Sequence, residues 1–186
     1  MRAGVWTMRL LAVLAIGVGV HFLAVWALPR LIMQRVLSTS PVELGARPGS
    51  TERVYFPPMT DARQRRIVLP SPDLLYAVCR FDVSVEPLRI RADPKLAGYW
   101  SVALYAANSD NFLVVNDREL AGQPLDLVVV ASGAGGAKAK LPPGARQVVA
   151  PTARGLVLMR VLVADYDAEK QGLEAARRTL RCEGLS

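Results

Sequence analysis

The stretch YAVCRFDV, residues 76–83, decides the fold class of this chain. Its odd-numbered positions are apolar, whereas Arg80 and Asp82 stand between them. Because successive side chains of a strand point to opposite faces, this alternation predicts a half-buried β-strand.

Six further strand-like segments follow this one. They are LRIRA (88–92), YWSVALYA (99–106), NFLVVN (111–116), LDLVVVA (125–131), RQVVA (146–150) and GLVLMRVLVAD (155–165). Short strands at a spacing of roughly ten residues are typical of an antiparallel β-sandwich or a jelly-roll-like sheet. We therefore predict a mainly β fold, with residues 75–186 forming a β-rich globular domain.

The C-terminal stretch DAEKQGLEAARRTLRC begins with acidic residues and ends with arginines. That order of charges suits the dipole of a helix. It predicts one helix from about Ala168 to Leu180.

Two segments have the composition of irregular structure. Residues 38–74 hold six prolines and little periodicity, which predicts an extended linker or arm. Residues 132–144, SGAGGAKAKLPPG, predict a mobile loop, since they lack the GK[ST] of a phosphate-binding loop.

The N-terminal run LLAVLAIGVGVHFLAVWALP, residues 10–29, carries no formal charge. At about 1.5 Å per residue, Leu10 to Leu28 spans roughly 28 Å, close to the thickness of a bilayer's hydrocarbon. Trp6 and Trp26 stand where interfacial aromatics belong. This predicts one membrane-spanning helix. A signal peptide cleaved after Ala27 is the alternative.

Residues 1–37 are predicted to form this anchor and a short juxtamembrane helix. Pro29 should kink or restart the helix, which then continues to about Leu37. Positive charges flank the run equally, with Arg2, Arg9 and the α-amine before it and Arg30, Arg35 and Arg47 after it. A short leader before a long domain nevertheless resembles a signal anchor. We expect a single-pass inner-membrane protein with its C-terminal domain in the periplasm. The cytoplasmic face is the alternative.

Three residues of the anchor are candidates for a helix contact. Ala15 and Gly19 form a small-xxx-small pair that would allow a second helix to approach closely. His21, the chain's single histidine, points to the opposite face. Its imidazole has three possible roles: it hydrogen-bonds a backbone carbonyl or reaches the membrane interface, it contacts a partner helix, or it ligates a cofactor.

Several classes of chemistry are disfavoured. The part after the anchor has no histidine, which removes Ser-His-Asp and Cys-His schemes and His-based metal sites. No cofactor is predicted. The net charge is +7, but the basic residues are scattered, so that no nucleic-acid partner is predicted.

Three weaker groups of residues remain. Cys79 and Cys182 either form a disulfide that staples the C-terminal helix to the sheet or stay separate thiols. A turn region offers oxygen ligands for calcium, although turns attract such residues anyway: Asn108, Asp110, Asn116, Asp117 and Glu119. An outward sheet face could bind a ligand or simply face solvent or a partner: Arg80, Asp82, Arg89, Arg91, Tyr99 and Tyr105.

With these residues in view, the chain resembles the bacterial family called domain of unknown function 1254, in its short, membrane-anchored proteobacterial form. The resembling segments are HFLAVWALPRL (21–31), LLYAVCRFDVS (74–84), PLRIRA (87–92), YWSVALYAANSDNF (99–112), VVNDRE (114–119), LDLVVV (125–130), TARGLVLMRVLV (152–163) and RC (181–182). The resemblance implies an anchored, envelope-facing β-sandwich-like domain. It supplies no accepted activity and no catalytic residues.

Longer proteins of that class join this domain to a second β-domain, of unknown function 1214. The present chain is too short for both, so the resemblance implies a separate partner protein. The predicted function is a membrane-anchored, non-enzymatic module for protein binding or assembly. The alternative is a β-domain that binds a small molecule or glycan, with or without an enzymatic activity of its Asp, Glu, Tyr and Arg side chains.

Overall fold

The computed structural model of the protein describes residues 2–39, 53–60, 70–133 and 141–185. Helix α1, Arg2–Ser38, comes first. The elements that follow are β1 Val54–Tyr55, β2 Leu74–Asp82, β3 Leu88–Ala92, β4 Trp100–Ala106, β5 Asn111–Asn116, α2 Asp117–Leu120, β6 Leu125–Ala131, β7 Arg146–Ala150, β8 Arg154–Leu162, α3 Tyr166–Arg177 and β9 Arg181–Gly184. Most of the predicted linker and part of the predicted loop, at 40–52, 61–69 and 134–140, lie outside the described residues.

The strands form two sheets. The five-stranded sheet has the order β1-β2-β8-β4-β5, and all its neighbours are antiparallel. The four-stranded sheet has the order β7-β6-β3-β9, and its strands are antiparallel except for the parallel pair β6 and β7. The mainly β prediction is confirmed. The parallel pair departs from it. Between β6 and β7 the sequence has 14 residues, 132–145, which is enough for a connection between parallel strands.

The inner faces of the two sheets enclose the hydrophobic core. Leu104 and Met159 from the five-stranded sheet and Ile90 from the four-stranded sheet are fully buried in one cluster. On β2 the odd-numbered residues of the quoted stretch face this core, as the alternation predicted.

A disulfide joins Cys79 to Cys182 across this core. Cys79 lies on β2 and Cys182 on β9, so that the bond links the two sheets. The predicted disulfide is confirmed, but its predicted role as a staple on the C-terminal helix is wrong. Cys182 lies beyond that helix, in a four-residue strand too short to show a pattern in the sequence.

Helix α3 begins two residues earlier than predicted and ends three residues earlier, at Arg177. Asp165 fixes its start, because its carboxylate accepts hydrogen bonds from the backbone N–H groups of Asp167 and Ala168. Leu173 and Ala176 are buried on the face turned towards the sandwich.

Helix α1 passes through Pro29 without interruption and ends at Ser38. The predicted restart at Pro29 is therefore wrong, whereas the predicted end near Leu37 agrees to one residue. A proline lacks only its own N–H, so a single carbonyl four residues earlier loses its partner, and the fixed φ of proline is itself helical.

Candidate functional site

The last turns of α1 pack against the outer face of the five-stranded sheet. Met33, which is 7% exposed, forms a buried cluster with Val78 on β2 and Leu156 on β8. Val36 and Leu37 pack against the same cluster. Apolar burial of this kind contributes roughly 1.5–3 kcal/mol for each fully buried side chain.

Arg80 on β2 holds the C-terminal end of α1. Its Nη1 donates hydrogen bonds of 2.7 Å each to the carbonyl oxygens of Leu37 and Thr39. The guanidinium also lies over the ring of Tyr55, 5.4 Å from its centroid. The end of a helix presents carbonyls without partners and a partial negative charge, so a buried cation there is favourable.

Ser109 provides a second polar contact, eight residues earlier along α1. It lies in the turn between β4 and β5 with φ of 74°, and its hydroxyl donates a 2.7 Å hydrogen bond to the carbonyl of Pro29. The contacts of α1 therefore extend from the turn after β4 to strand β2. We call this contact region, residues 29–39 with their partners on the sheet, the junction.

A cavity of about 390 Å³ opens beside the junction. Its lining is Leu37, Arg53, Tyr55, Arg80, Phe81, Asp82, Val85, Glu86 and Arg154. Three arginines and two carboxylates give this lining a formal charge of +1. We call it the junction cavity.

The two carboxylates of the junction cavity already have partners. The Asp82 carboxylate accepts hydrogen bonds from the Ser84 hydroxyl and from the Ser84 backbone N–H, at 2.5 and 3.0 Å. These two bonds, helped by the charge of Arg154, hold the pKa of Asp82 below its usual value. Glu86 forms an ion pair of 2.9 Å with Arg53.

A second cavity, of about 430 Å³, adjoins the first and shares Arg53 with it. It opens beside Cys182, and its remaining lining is Val54, Phe56, Arg178, Leu180, Arg181 and Glu183. Arg178 lies over the Phe56 ring at 4.8 Å. Several arginines therefore line the two neighbouring cavities, one beside the end of α1 and one beside β9.

The six residues predicted to share an outward face do not do so. Arg80 and Asp82 belong to β2 in the five-stranded sheet, whereas Arg89 and Arg91 belong to β3 in the other sheet. Tyr105 packs against the cluster under α1. Tyr99 precedes β4 and is 38% exposed. The alternation of each strand was predicted correctly, but it does not reveal which sheet a strand joins.

Arg89 and Arg91 instead form a charged ladder on the four-stranded sheet. Arg89 makes a two-pronged ion pair with Asp126, at 2.9 and 2.6 Å, and Arg91 pairs with Glu183 at 2.7 Å. The hydrogen bonds that Arg89 donates to Asp126 lower the pKa of Asp126 and raise the pKa of Arg89. These guanidiniums are occupied by partners within the fold.

The predicted oxygen ligands are also separated. Asn108 and Asp110 bond to each other in the turn before β5, at 2.5 Å. Asp117 lies after β5, in helix α2, where Asn116 caps the backbone N–H of Glu119. A six-residue strand between the two groups spans about 20 Å. The structure does not bring them together, and in the described ranges no three His, Cys, Asp or Glu residues could jointly hold a metal ion.

Helix α1 is long and apolar enough to cross a membrane, as a signal sequence near an N-terminus would also be. His21 is exposed on it, with its ring edge-on to Phe22 at 5.8 Å. Ala15 is exposed, and a side chain added at Gly19 would meet nothing within 4 Å. The helix contact predicted for these three residues stays a prediction.

Sequence reasoning missed the junction. A signal was present at Val78, an apolar residue that lies between Tyr76 and Arg80 on the outward face of β2. In β8 the run GLVLMRVL is apolar at nearly every position, as in strands that are covered on both faces. Both patterns indicate that something covers the outer face of this sheet.

Comparison with known proteins gives a family and a fold. The family model "Protein of unknown function (DUF1254)" matches residues 51–184. No curated protein matches the chain. The crystal structure of the VPA0106 protein from Vibrio parahaemolyticus is similar in fold, with a TM-score of 0.55 and 15% identity, over 63% of this chain and 29% of that protein.

An uncharacterised protein from Burkholderia cenocepacia also aligns, with a TM-score of 0.45 and 16% identity, over 84% of this chain and 40% of that one. The chain thus spans less than half the length of either solved protein. The family match covers most of the 186-residue sequence, including every strand of both sheets. The chain belongs to the DUF1254 family of proteins of unknown function.

Proposed function

We propose that this chain is a single-pass, membrane-anchored module of the bacterial envelope whose β-sandwich binds a separate protein. The observation that carries this proposal is the junction. Before Pro29, α1 exposes large apolar side chains along its length, among them Leu14 at 56% and Phe22 at 68%. Such a surface requires a cover, and a bilayer provides one of matching thickness.

The junction would fix the orientation of the sandwich. Apolar packing at Met33 is combined with hydrogen bonds at Pro29 and Leu37, so that α1 is held at two points along its axis. A domain mounted in this way presents the same face to its surroundings at all times. Preorganised surfaces bind partners at a lower entropic cost than flexible ones.

The four-stranded sheet lies on the side of the sandwich opposite α1. Its edge strand β7 exposes Val149 at 55%. The edge strand of a sheet that exposes an apolar residue is a common docking site for another chain. We propose that a separate β-domain protein, of the unknown function 1214 type, binds there.

The disulfide supports a periplasmic location for the sandwich. Disulfides such as the bond between Cys79 and Cys182 persist in oxidising compartments and are rare in the cytosol. Export of the C-terminal domain across the inner membrane would place this bond where it can form.

Alkylation of the two cysteines in intact cells tests the location. Thiols that stay blocked until reductant is added, in a linked peptide pair, are the expected result. Free labelling of both thiols in the native protein would overturn the periplasmic assignment.

Site-specific photo-crosslinking tests the partner. A photoreactive amino acid in place of Val149 should crosslink the chain to a 1214-type protein expressed with it. The same replacement at Val85, which is 92% exposed in the turn after β2, is the control and should not. Membrane-integrated protein that crosslinks at neither position would contradict the proposed docking at β7.

A further inference from the structure

We propose that the junction cavity binds the phosphate group of an anionic phospholipid headgroup. This assignment rests on the proposed membrane anchoring and adds to it a lipid ligand. It concerns the face of the sandwich next to α1, not the edge strand proposed for the protein partner.

Two arginines of the junction cavity have donors to spare. Arg80 uses only Nη1 for the carbonyls of Leu37 and Thr39, so that Nη2 is not bonded to any residue that the structure describes. Arg154 is exposed, and its side chain forms no ion pair within the described ranges. Both side chains line the cavity, and both have hydrogen-bond donors without a partner among the described residues.

Neither carboxylate of the cavity forms an ion pair with Arg80 or Arg154 among the residues that the structure describes. Asp82 still lies close enough to Arg154 to interact with its charge. Glu86 is paired with Arg53, and Asp82 is held by the hydroxyl and backbone of Ser84. The lining keeps a formal charge of +1. Planar guanidiniums bind phosphate oxygens through paired, charge-assisted hydrogen bonds, which is the chemistry that this arrangement supplies.

The cavity lies near the end of the exposed apolar surface of α1. That surface continues past Pro29 to Leu31 and Ile32, which are 58% and 45% exposed. From Ile32 to Leu37 the helix rises by about 7.5 Å. The cavity at Leu37 is therefore close to the point where the helix leaves the apolar layer, on the side where lipid headgroups lie.

The test uses the full chain in lipid nanodiscs. Comigration with discs of phosphatidylcholine alone comes first, because it examines the anchor without any anionic lipid. The chain is then placed in discs of phosphatidylcholine, phosphatidylethanolamine and phosphatidylglycerol in equal parts. Lipids that stay bound after transfer to mild detergent are identified by native mass spectrometry.

We expect phosphatidylglycerol to be retained over the other two lipids. Arg154→Gln should reduce this retention about tenfold, as expected for the loss of one charge-assisted contact. Arg154→Lys should retain part of it. Arg146→Gln, the same charge change at an exposed position of the other sheet, is the control and should have no effect. Matching circular dichroism spectra of the variants establish that they are folded.

The proposal would be overturned if phosphatidylethanolamine were retained as well as phosphatidylglycerol. It would also be overturned if Arg154→Gln did not change the retention of phosphatidylglycerol. Soluble glycerol phosphate, titrated onto the chain in phosphatidylcholine discs, separates a lipid from a free anion. Arg154-dependent binding of glycerol phosphate that phosphatidylglycerol does not displace would also overturn it. A chain that fails to comigrate with any disc would instead refute the anchoring itself.

Discussion

The guanidinium of Arg80 donates hydrogen bonds of 2.7 Å to the carbonyl of Leu37 and to that of Thr39, so that a residue of strand β2 closes the C-terminal end of a helix 43 positions earlier in the chain. Because Arg80 is partly buried there, its contacts are shielded from competing water. This pair is one of the two polar contacts, with that of Ser109, that fix the orientation of α1 on the sandwich.

Arg80→Ala should loosen the junction. It removes two charge-assisted hydrogen bonds, and we expect a loss of about 2–3 kcal/mol in the free energy that holds α1 against the sheet. Hydrogen exchange of the backbone amides of residues 33–38 measures this loss as faster exchange. Arg146→Ala, at an exposed site of the other sheet, should leave the exchange unchanged. Equal protection in both variants would show that Arg80 does not hold the helix.

Reduction of the disulfide should destabilise the sandwich strongly. The bond closes a loop with a sequence separation of 103 residues, and such loops contribute about 3–5 kcal/mol through the entropy of the unfolded chain. Thermal unfolding with and without reductant should show a large decrease in Tm. The double variant Cys79→Ala with Cys182→Ala should unfold near the Tm of the reduced protein, and reductant should not change its Tm. A Tm that reductant does not change would contradict the predicted contribution.

Replacing two of the glycines with alanine should change the stability of the protein in opposite directions. A Cβ at Gly155 would overlap the Phe81 ring and the carbonyl oxygen of Tyr105, so Gly155→Ala should cost roughly 2–3 kcal/mol. Gly172 lies within α3, where an added Cβ meets nothing within 4 Å. Gly172→Ala should therefore stabilise the protein by about 1 kcal/mol, since alanine favours helix. Denaturant unfolding of both variants checks the two signs.

The ion pair between Arg89 and Asp126 should make stability depend on acid pH. The pKa of Asp126 is lower in the folded protein than in the unfolded chain, chiefly through the hydrogen bonds from Arg89. Its stabilising contribution is therefore complete above the unfolded pKa, near about 4, and is lost as the pH falls towards the lower folded pKa. Asp126→Asn should flatten this part of the profile of unfolding free energy against pH. If the variant lost the same unfolding free energy at acid pH, other carboxylates would be the cause of that loss.

The sequence predicted what depends on local pattern. Strands β2 to β8 show alternating or continuous apolar residues over five or more positions, and each was found within a few residues of its bounds. Strands β1 and β9 have two and four residues, too few for a pattern to emerge. Both exist because longer neighbours, β2 and β3, offer them backbone partners.

The junction and its cavity could not be predicted, since they depend on pairings between distant residues. Met33 meets Val78 and Leu156 only after the five-stranded sheet has formed. Arg154 reaches the same cavity as Arg53 because β8 pairs with β2, which no local pattern indicates. Sequence alone placed Arg80 on an outward face, which is correct. The apolar run of β8 indicates that this face is covered, but not that a helix covers it.

Strand β2 carries the disulfide and the helix contact on adjacent residues, with Cys79 facing the core and Arg80 facing α1. A force that pulls the four-stranded sheet away from α1 is therefore transmitted through β9 and the sulfur bridge into β2, and from β2 into the end of the helix. The two connections have unequal strength, because one is covalent and the other consists of hydrogen bonds and apolar packing. Under tension we expect α1 to separate from the sandwich while the two sheets stay joined.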